Sequence, residues 1–409
     1  MTRHSRRSFL TRSLALGCSL AASPLVTPVT FASAPWDNRL VVIILRGGLD
    51  GLDAVRPVGA PEFSALRGGV LTGDDPATLD LDGYFALHPG LSDLMPLWRA
   101  GQLGFAHAVS TPYRDKRSHF DGQDILEAGT GGPGLEHTRS GWLNRLLSEV
   151  PGATAETAFA IGRQSMLLTK GDAPVSDWSP EASLVLSPQA ERLLDLVTHD
   201  DPLFRDALNE AIDLSQSGEM IPDGEADTAD MLNAMQDMAR PAGRGEAVTQ
   251  IASFAASRLK LDTRIAAYSL AGFDTHAGQS RSINRALKQL ADNILTLQRE
   301  LGPVWGQTTV VAMTEFGRTV RVNGTGGTDH GTGGVMIMAG GALRGGRVVA
   351  DWPGLSDGAL YQGRDLMPTR DVRAHAGWIM RGLFGLDRRL IEDTVFPGLD
   401  LGEDPGLLL

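Results

Sequence analysis

Cysteine is almost missing from this chain of 409 residues: the single one is Cys18, near the N-terminus. Residues 19–409 therefore contain no disulfide, no thiolate nucleophile and no cysteine ligand for a metal. A metal site in this chain would have to be built from histidine nitrogens and carboxylate oxygens.

Basic residues are also few, since 37 Lys and Arg stand against 49 Asp and Glu, a net charge of −12. Residues 1–34 hold four arginines and no acid, so the remaining 375 residues carry −16. A surface this acidic repels a phosphate backbone, and we expect no nucleic acid partner. The length suffices for one large α/β domain or two smaller ones.

Charge is absent from residues 13–34, directly after the pattern SRRSFL at 5–10. Paired arginines before such a segment are typical of a twin-arginine signal, and Ala-Ser-Ala at 32–34 offers a cleavage site. The sequence thus predicts a signal peptide at 1–34, the twin-arginine export machinery as partner, and a periplasmic or secreted protein with no membrane span after cleavage. An uncleaved anchor, disfavoured by two prolines, and a lipoprotein signal ending at Cys18 stay open.

Apolar runs rich in β-branched residues alternate with helical patterns along residues 35–409. The runs predict buried strands at 39–45, 103–109, 263–270, 308–314 and 334–341. Apolar residues at helical spacing from Ile283 to Leu301 predict a helix that ends at Gly302. We therefore expect a single α/β domain with a mainly parallel sheet and helices on both faces, carrying a helical insertion at about 186–258.

Acids and histidines follow the predicted strands. The candidates are Asp50, Asp274, His276 and Glu315, each just after a strand, and Asp329 with His330 in the glycine-rich segment 314–334. Ligands bind outside the carboxyl ends of strands in such sheets, so these side chains should meet at one edge. They would hold one or two divalent ions, with zinc, calcium and magnesium all open. A polar network without an ion is the alternative.

Ser118 begins a predicted helix, with Asp121 three residues on. A helix N-terminus favours an anion, so Ser118 is a candidate nucleophile; an ordinary helix cap is the alternative. His119 is a candidate ligand, base or hydrogen-bond partner. Arg46 and Arg318 would bind a substrate phosphate or sulfate, or pair with the acids.

Several long motifs resemble one known family. They are LRGGLDGLDAVRP (45–57), RSHFDGQDILEAGT (117–130), GWLNR (141–145), FDTHAGQ (273–279), TEFGRTVRVNGTGGTDHG (314–331) and VFPG (395–398). The chain resembles a bacterial twin-arginine-exported family, domain of unknown function number fifteen hundred and one. That family is similar to the alkaline-phosphatase-like superfamily, which includes sulfatases and phosphomutases.

The resemblance implies a two-metal site at the edge of a mainly parallel sheet. Asp50 would match the acid after the first strand and Ser118 the nucleophile. Asp274, His276 and His330 would hold one ion. Glu315 would match the acid of an acid–His pair for the second ion, but Phe316 stands where that histidine belongs. An alternative register takes Asp329 and His330 as that pair.

Two functions follow from the resemblance. The first is an exported metal-dependent hydrolase of phosphate or sulfate esters, with a small anionic ester as substrate. The alternative is a non-catalytic secreted binding or assembly protein on the same fold.

Replacement of both Arg6 and Arg7 by lysine tests the export signal. We expect the variant to stay in the cytoplasm, because the export receptor reads the arginine pair and not charge alone. Arg3→Lys, which lies outside the pair, is the control and should be exported normally. Cell fractionation measures both, and periplasmic accumulation of the double variant at the parent level would contradict the prediction.

Overall fold

The structure is a computed structural model that describes residues 36–71, 79–131, 140–162, 166–178 and 244–409. The segment 1–34 and most of the insertion at 186–258 lie outside these residues, so both stay predictions. Within the described residues, no helix is long and apolar enough to cross a membrane.

The strands follow one another along the described chain in this order: β1 (Arg39–Arg46), β2 (Val55–Arg56), β3 (Ala86–Leu87), β4 (Leu103–Ser110), β5 (Ala158–Ile161), β6 (Ser176–Trp178), β7 (Ile265–Ala271), β8 (Thr308–Met313), β9 (Gly334–Ala339), β10 (Val348–Val349) and β11 (Arg370–Asp371). The five strands predicted from apolar runs are β1, β4, β7, β8 and β9, with ends within two residues of the prediction.

The α-helices of the described residues are α1 (Gly51–Ala54), α2 (Phe63–Arg67), α3 (Met95–Arg99), α4 (His119–Ala128), α5 (Trp142–Ser148), α6 (Arg244–Leu259), α7 (Gln279–Leu301) and α8 (Val372–Phe384). Short 3-10 turns cover Pro89–Leu94, Ala155–Thr157, Leu167–Thr169, Gly302–Gln307 and Asp357–Ala359, and a π-helical turn covers Leu390–Val395. The long helix α7 ends at Gly302 as predicted, and Ser118 caps α4.

One mixed sheet organises the domain, with the strand order β10-β4-β9-β8-β1-β7-β5-β6 and with β11 beside β4. The block from β8 to β6 is parallel throughout, whereas β9 runs antiparallel to both of its neighbours. The chain between β8 and β9 folds back without a crossover helix, so β9 must reverse direction. The predicted α/β class with a mainly parallel sheet is confirmed.

The sheet is buried on both faces because alternate residues of each strand point to opposite sides. In β1, Val41 and Ile43 pack in the core shared with α6 and α7, while Val42 and Ile44 pack in the core shared with α5 and α8. Each fully buried aliphatic side chain contributes about 1.5 to 3 kcal/mol, so the strand is fixed firmly in the middle of the domain.

Parallel neighbours β8, β1 and β7 bring three strand ends to one edge of the sheet. Directly after β1, Gly47 and Gly48 have φ values of +115° and +70°. A Cβ at Gly47 would overlap the backbone nitrogen of Asp274, and one at Gly48 would lie 2.7 Å from the ring of Phe316. Glycine lets the chain pass directly under the loops that follow β7 and β8.

Three histidines lie in the core away from this edge. Burial lowers the pKa of His88, His107 and His375 from 6.5 to about 4. In His107, Nε2 donates to the carbonyls of Gly51 and Val55, and Nδ1 accepts from the amide of Ala108. Both ring nitrogens are therefore satisfied in the neutral form, as expected of a structural histidine.

The His107→Gln variant tests whether His107 is neutral in the folded protein. In the parent, His107 becomes protonated below pH 6.5 in the unfolded state. In the folded state it becomes protonated only near its lowered pKa of about 4. His107 therefore lowers the unfolding free energy by about 1.4 kcal/mol for each pH unit as the pH falls through this window. The variant should show a shallower decline of the unfolding free energy between pH 6.5 and 4, measured with urea. Parallel curves for the two proteins would contradict the prediction.

Candidate metal centre

Four side chains from three loops meet at the carboxyl edge of the sheet. Oδ1 of Asp274 lies 3.1 Å from Nε2 of His276 and 3.4 Å from Nε2 of His330. Oδ2 of Asp274 lies 3.5 Å from Nε2 of His119, the first residue of α4. The two nitrogens of His276 and His330 are 2.8 Å apart. The ligand atoms of His119, Asp274 and His330 all lie within 4.8 Å of one another, and His276 lies against Asp274 and His330.

The far nitrogen of each imidazole is fixed by an oxygen. Nδ1 lies 2.8 Å from Glu315 Oε1 in His119, 3.3 Å from Asp329 Oδ1 in His276, and 2.8 Å from the backbone carbonyl of Arg117 in His330. Carboxylate and carbonyl oxygens only accept, so each Nδ1 donates, and in the neutral ring this leaves Nε2 unprotonated and able to bind an ion. This is how proteins orient histidine ligands of a metal, and the residues fit one divalent ion.

The charges around this point also suit a cation. Burial raises the pKa of Asp274, but the hydrogen bond and charge of Arg318 outweigh burial and leave the pKa below its ordinary value. Burial lowers the pKa of His330, which favours the neutral ring that a metal needs. The side chains of Asp274 and His276 are 48% and 44% exposed, so the centre is open to a small ligand.

Glu315 lies behind His119 rather than at the centre. Its buried carboxylate accepts from the Gly47 amide at 2.9 Å, from Thr314 Oγ1 at 2.9 Å and from Gln123 Nε2 at 3.2 Å, besides the contact with His119. Burial raises the pKa of Glu315, but the hydrogen bonds from His119 and Gly47 outweigh burial and leave the pKa below its ordinary value. The carboxylate is therefore ionised. The same bond raises the pKa of His119. Glu315 therefore orients a histidine.

Asp50 is placed outside the cluster, contrary to our expectation. Both of its oxygens are held by Arg67 of α2, at 2.5 and 2.8 Å, and Gln279 Nε2 donates to Oδ2 at 2.7 Å. Burial raises the pKa of Asp50, and the charge of Arg67 and these hydrogen bonds more than reverse the shift. A guanidinium already occupies the position that a cation would take. We therefore leave Asp50 out of the metal set.

Arg318 pairs with an acid, which was the alternative to substrate binding. The side chain is buried, and its Nη2 donates to Asp274 Oδ1 at 2.5 Å. Nη2 also donates to the carbonyls of Gly47 and Phe273, while Nε donates to that of Gly48 and Nη1 to that of Thr328. With these donors engaged, Arg318 positions the loops and offers no group to a substrate.

Arg46 is likewise paired. Nη2 lies 2.8 Å from Glu127 of α4, and Nη1 donates to Gln123 at 2.6 Å. Its substrate-binding role stays a prediction without support from this geometry.

Phe316 forms one wall of the centre. Its ring centroid lies 5.1 Å from that of His119, 4.8 Å from that of His330 and 6.2 Å from that of Tyr113. Phe316 has no ligand atom, and Asp50 and Glu315 are bound to other side chains. The residues that the resemblance assigned to a second ion do not fit one.

Ser118 lies beside the centre in the chain, between Arg117, whose carbonyl holds His330, and His119. Its Oγ accepts from the Asp121 amide at 3.4 Å, and its own amide donates to the hydroxyl of Tyr113 at 2.6 Å. The predicted cap is confirmed, and the role as nucleophile stays a prediction.

Sequence reasoning missed several supporting residues. Arg67 was not singled out, because nothing in its local pattern reveals that α2 folds over Asp50. Asn323 donates to Asp329 Oδ1 at 3.0 Å and to the His276 carbonyl at 2.9 Å. Its place in the glycine-rich segment, six residues before Asp329, is the one signal that could have indicated it.

Fold and site together define an α/β protein with a histidine–carboxylate centre at the carboxyl edge of its sheet. The chain belongs to the family described as "Protein of unknown function (DUF1501)", which matches residues 98–376. A search of curated proteins finds no match.

Several solved structures are similar at low identity. The lipoteichoic acid synthase LtaP from Listeria monocytogenes is 8% identical, with 73% of this chain and 61% of that chain covered and a TM-score of 0.33. The TAB5 alkaline phosphatase mutant His 135 Glu with Mg bound in the M3 site is 11% identical, with 78% and 94% covered and a TM-score of 0.34. The C-terminal periplasmic domain of EcEptC from Escherichia coli, in complex with Zn, is 9% identical, with 74% and 73% covered and a TM-score of 0.32.

This chain thus spans about three fifths of the LtaP chain that it matches. Scores this low transfer no activity, so function must be argued from this chain's own side chains.

Asp50→Asn separates a structural carboxylate from a metal ligand. The variant leaves the Arg67 guanidinium buried without its charged partner, and we expect a loss of about 3 to 5 kcal/mol in unfolding free energy. The metal content per folded chain should equal that of the parent. Denaturant unfolding and elemental analysis measure the two quantities. A variant of unchanged stability with less bound metal would restore Asp50 to the ligand set.

Proposed function

We propose that this protein is an exported, metal-dependent hydrolase of phosphate or sulfate esters that works with a single ion. The observation that carries the proposal is the contact of three histidines, His119, His276 and His330, with the Asp274 carboxylate at an open edge of the sheet. Such a centre has the donors for an ion and room for a small anionic ester.

An ion held there by Asp274, His276 and His330 would polarise the ester and offset its negative charge. Ser118 supplies the nucleophile: its hydroxyl proton passes to solvent as Oγ bonds to phosphorus or sulfur, and the leaving oxygen departs and takes up a proton from solvent. Water then attacks the serine ester and releases Ser118 with its proton restored. The N-terminus of α4, whose orphan amides favour an anion, supports the substrate beside Ser118.

Anion binding falls to Arg117 in this proposal, in place of Arg46 and Arg318. Arg117 is exposed and directly precedes Ser118, whereas the other two arginines are engaged elsewhere. A guanidinium beside the nucleophile suits the three outer oxygens of a phosphate or sulfate group.

Export is part of the same proposal. The SRRSFL pattern directs the chain across the membrane by the twin-arginine route, and the protein then acts in the periplasm or outside the cell. That route carries folded proteins, so the ion can be acquired before export.

A second candidate function is a secreted binding or assembly protein that keeps the ion without turnover. The pairing of Asp50 with Arg67 and the presence of Phe316 favour it, because they leave one ion where the resemblance implied two. The two candidates differ in turnover and not in metal content.

Ser118→Ala tests the enzyme. We expect it to abolish hydrolysis of p-nitrophenyl phosphate or p-nitrophenyl sulfate, because the attacking oxygen is removed. The loss of one helix cap costs about 1 kcal/mol, so fold and metal content should persist. Ser148→Ala, whose hydroxyl bonds a backbone carbonyl within α5, is the control and should keep full activity.

The assays use protein from the native export route with each divalent ion in turn. No turnover by the parent with either ester would contradict the hydrolase and favour the binding protein. Turnover by Ser118→Ala at the parent rate would remove Ser118 from the mechanism.

A further inference from the structure

We propose that His119 completes the centre as a fourth ligand, and that three imidazoles and one carboxylate select a zinc-like ion over magnesium or calcium. The inference rests on the proposed function for the presence of an ion, and goes beyond it in naming the ligand set and the class of metal.

The unsatisfied nitrogen of His119 is the first argument. Its Nε2 is buried and makes no hydrogen bond, although it lies 3.5 Å from Oδ2 of Asp274. A buried polar atom without a partner costs about 1 to 3 kcal/mol. Because Nδ1 donates to Glu315, the neutral ring directs the lone pair of Nε2 toward Asp274, as a ligand of an ion bound there requires.

The orientation of His119 is fixed from every side. Ser118 caps the helix that His119 begins. The ring lies against Phe316, with centroids 5.1 Å apart, and edge-on to His330 at 4.3 Å. Glu315 holds Nδ1 at 2.8 Å and is itself held by an amide, an amide side chain and a hydroxyl. A carboxylate behind a histidine is the usual support of a metal ligand.

His119 also makes up for the missing ligand at position 316. Phe316 follows Glu315 in the chain, but its ring packs at a tilt against His119 and His330 and has no ligand atom. The fourth donor comes instead from α4, which approaches from the other side of the edge.

The composition of the set decides the class of metal. Three nitrogens and one carboxylate are typical of zinc, which takes four ligands. Magnesium and calcium require six or more oxygens. The two further carboxylates beside the histidines are engaged elsewhere: Glu315 by His119, and Asp329 by His276 and Asn323 through its Oδ1.

The test measures metal binding without turnover. Metal-free full-length protein is equilibrated with equal zinc, magnesium and calcium, and the bound ions are counted by elemental analysis. Zinc affinity is then measured by competition with a chromophoric chelator, and the visible spectrum of the cobalt(II) form reports the number of ligands. We expect one zinc per chain in the parent.

Four variants are compared, each checked for folding by circular dichroism. His119→Ala and His119→Asn should each weaken zinc binding at least about 100-fold and alter the cobalt spectrum. Glu315→Gln should weaken binding about 10- to 100-fold, because it disturbs only the support of a ligand. Phe120→Ala changes the next residue, whose side chain is 83% exposed, and should match the parent.

Two results would overturn the inference: parent zinc affinity with an unchanged cobalt spectrum in both His119 variants, or a preference for magnesium or calcium. Zinc binding as expected without hydrolysis would count against the hydrolase alone. Hydrolysis that requires magnesium would keep the hydrolase and remove this ligand assignment.

Discussion

The candidate centre depends on the hydrogen bonds and the ion pair that the buried guanidinium of Arg318 makes. It donates to carbonyls in the loops after β1, β7 and β8 and to the carboxylate of Asp274. The sheet brings three strand ends to one edge, but loops rich in glycine have no fixed path of their own. A planar group with donors in fixed directions joins them, so the position of each ligand depends on the others.

A second arginine explains why the centre suits one ion and not two. Arg67 places a permanent positive charge against both oxygens of Asp50. Removing either partner would leave a buried charge uncompensated, so the pair is retained once formed. With Phe316 as an apolar wall, the proposed ion site is limited to Asp274 and the histidines beside it.

The hydrogen bonds behind the candidate ligands determine how each imidazole is oriented. Glu315, Asp329 and the Arg117 carbonyl each fix the proton on one imidazole and direct the opposite nitrogen inward. In the sequence, a carboxylate that supports a histidine cannot be told from one that binds an ion, because both are acidic residues that follow a strand. Depth within the fold is what separates Glu315 from Asp274: the first is buried and the second is half exposed.

The sequence by itself determined the architecture, because burial on both faces imposes continuous apolar runs on β1, β4, β7, β8 and β9 and a helical period on α7. The position of polar residues after neighbouring parallel strands also predicted one shared edge, where Asp274, His276 and His330 lie together and Asp50 does not. The reversal of β9, the pairing of Asp50 with Arg67 and the contact of Glu315 with His119 were decided by tertiary structure alone. Each depends on contacts between elements that are far apart in the sequence, and local residue patterns do not reveal such contacts.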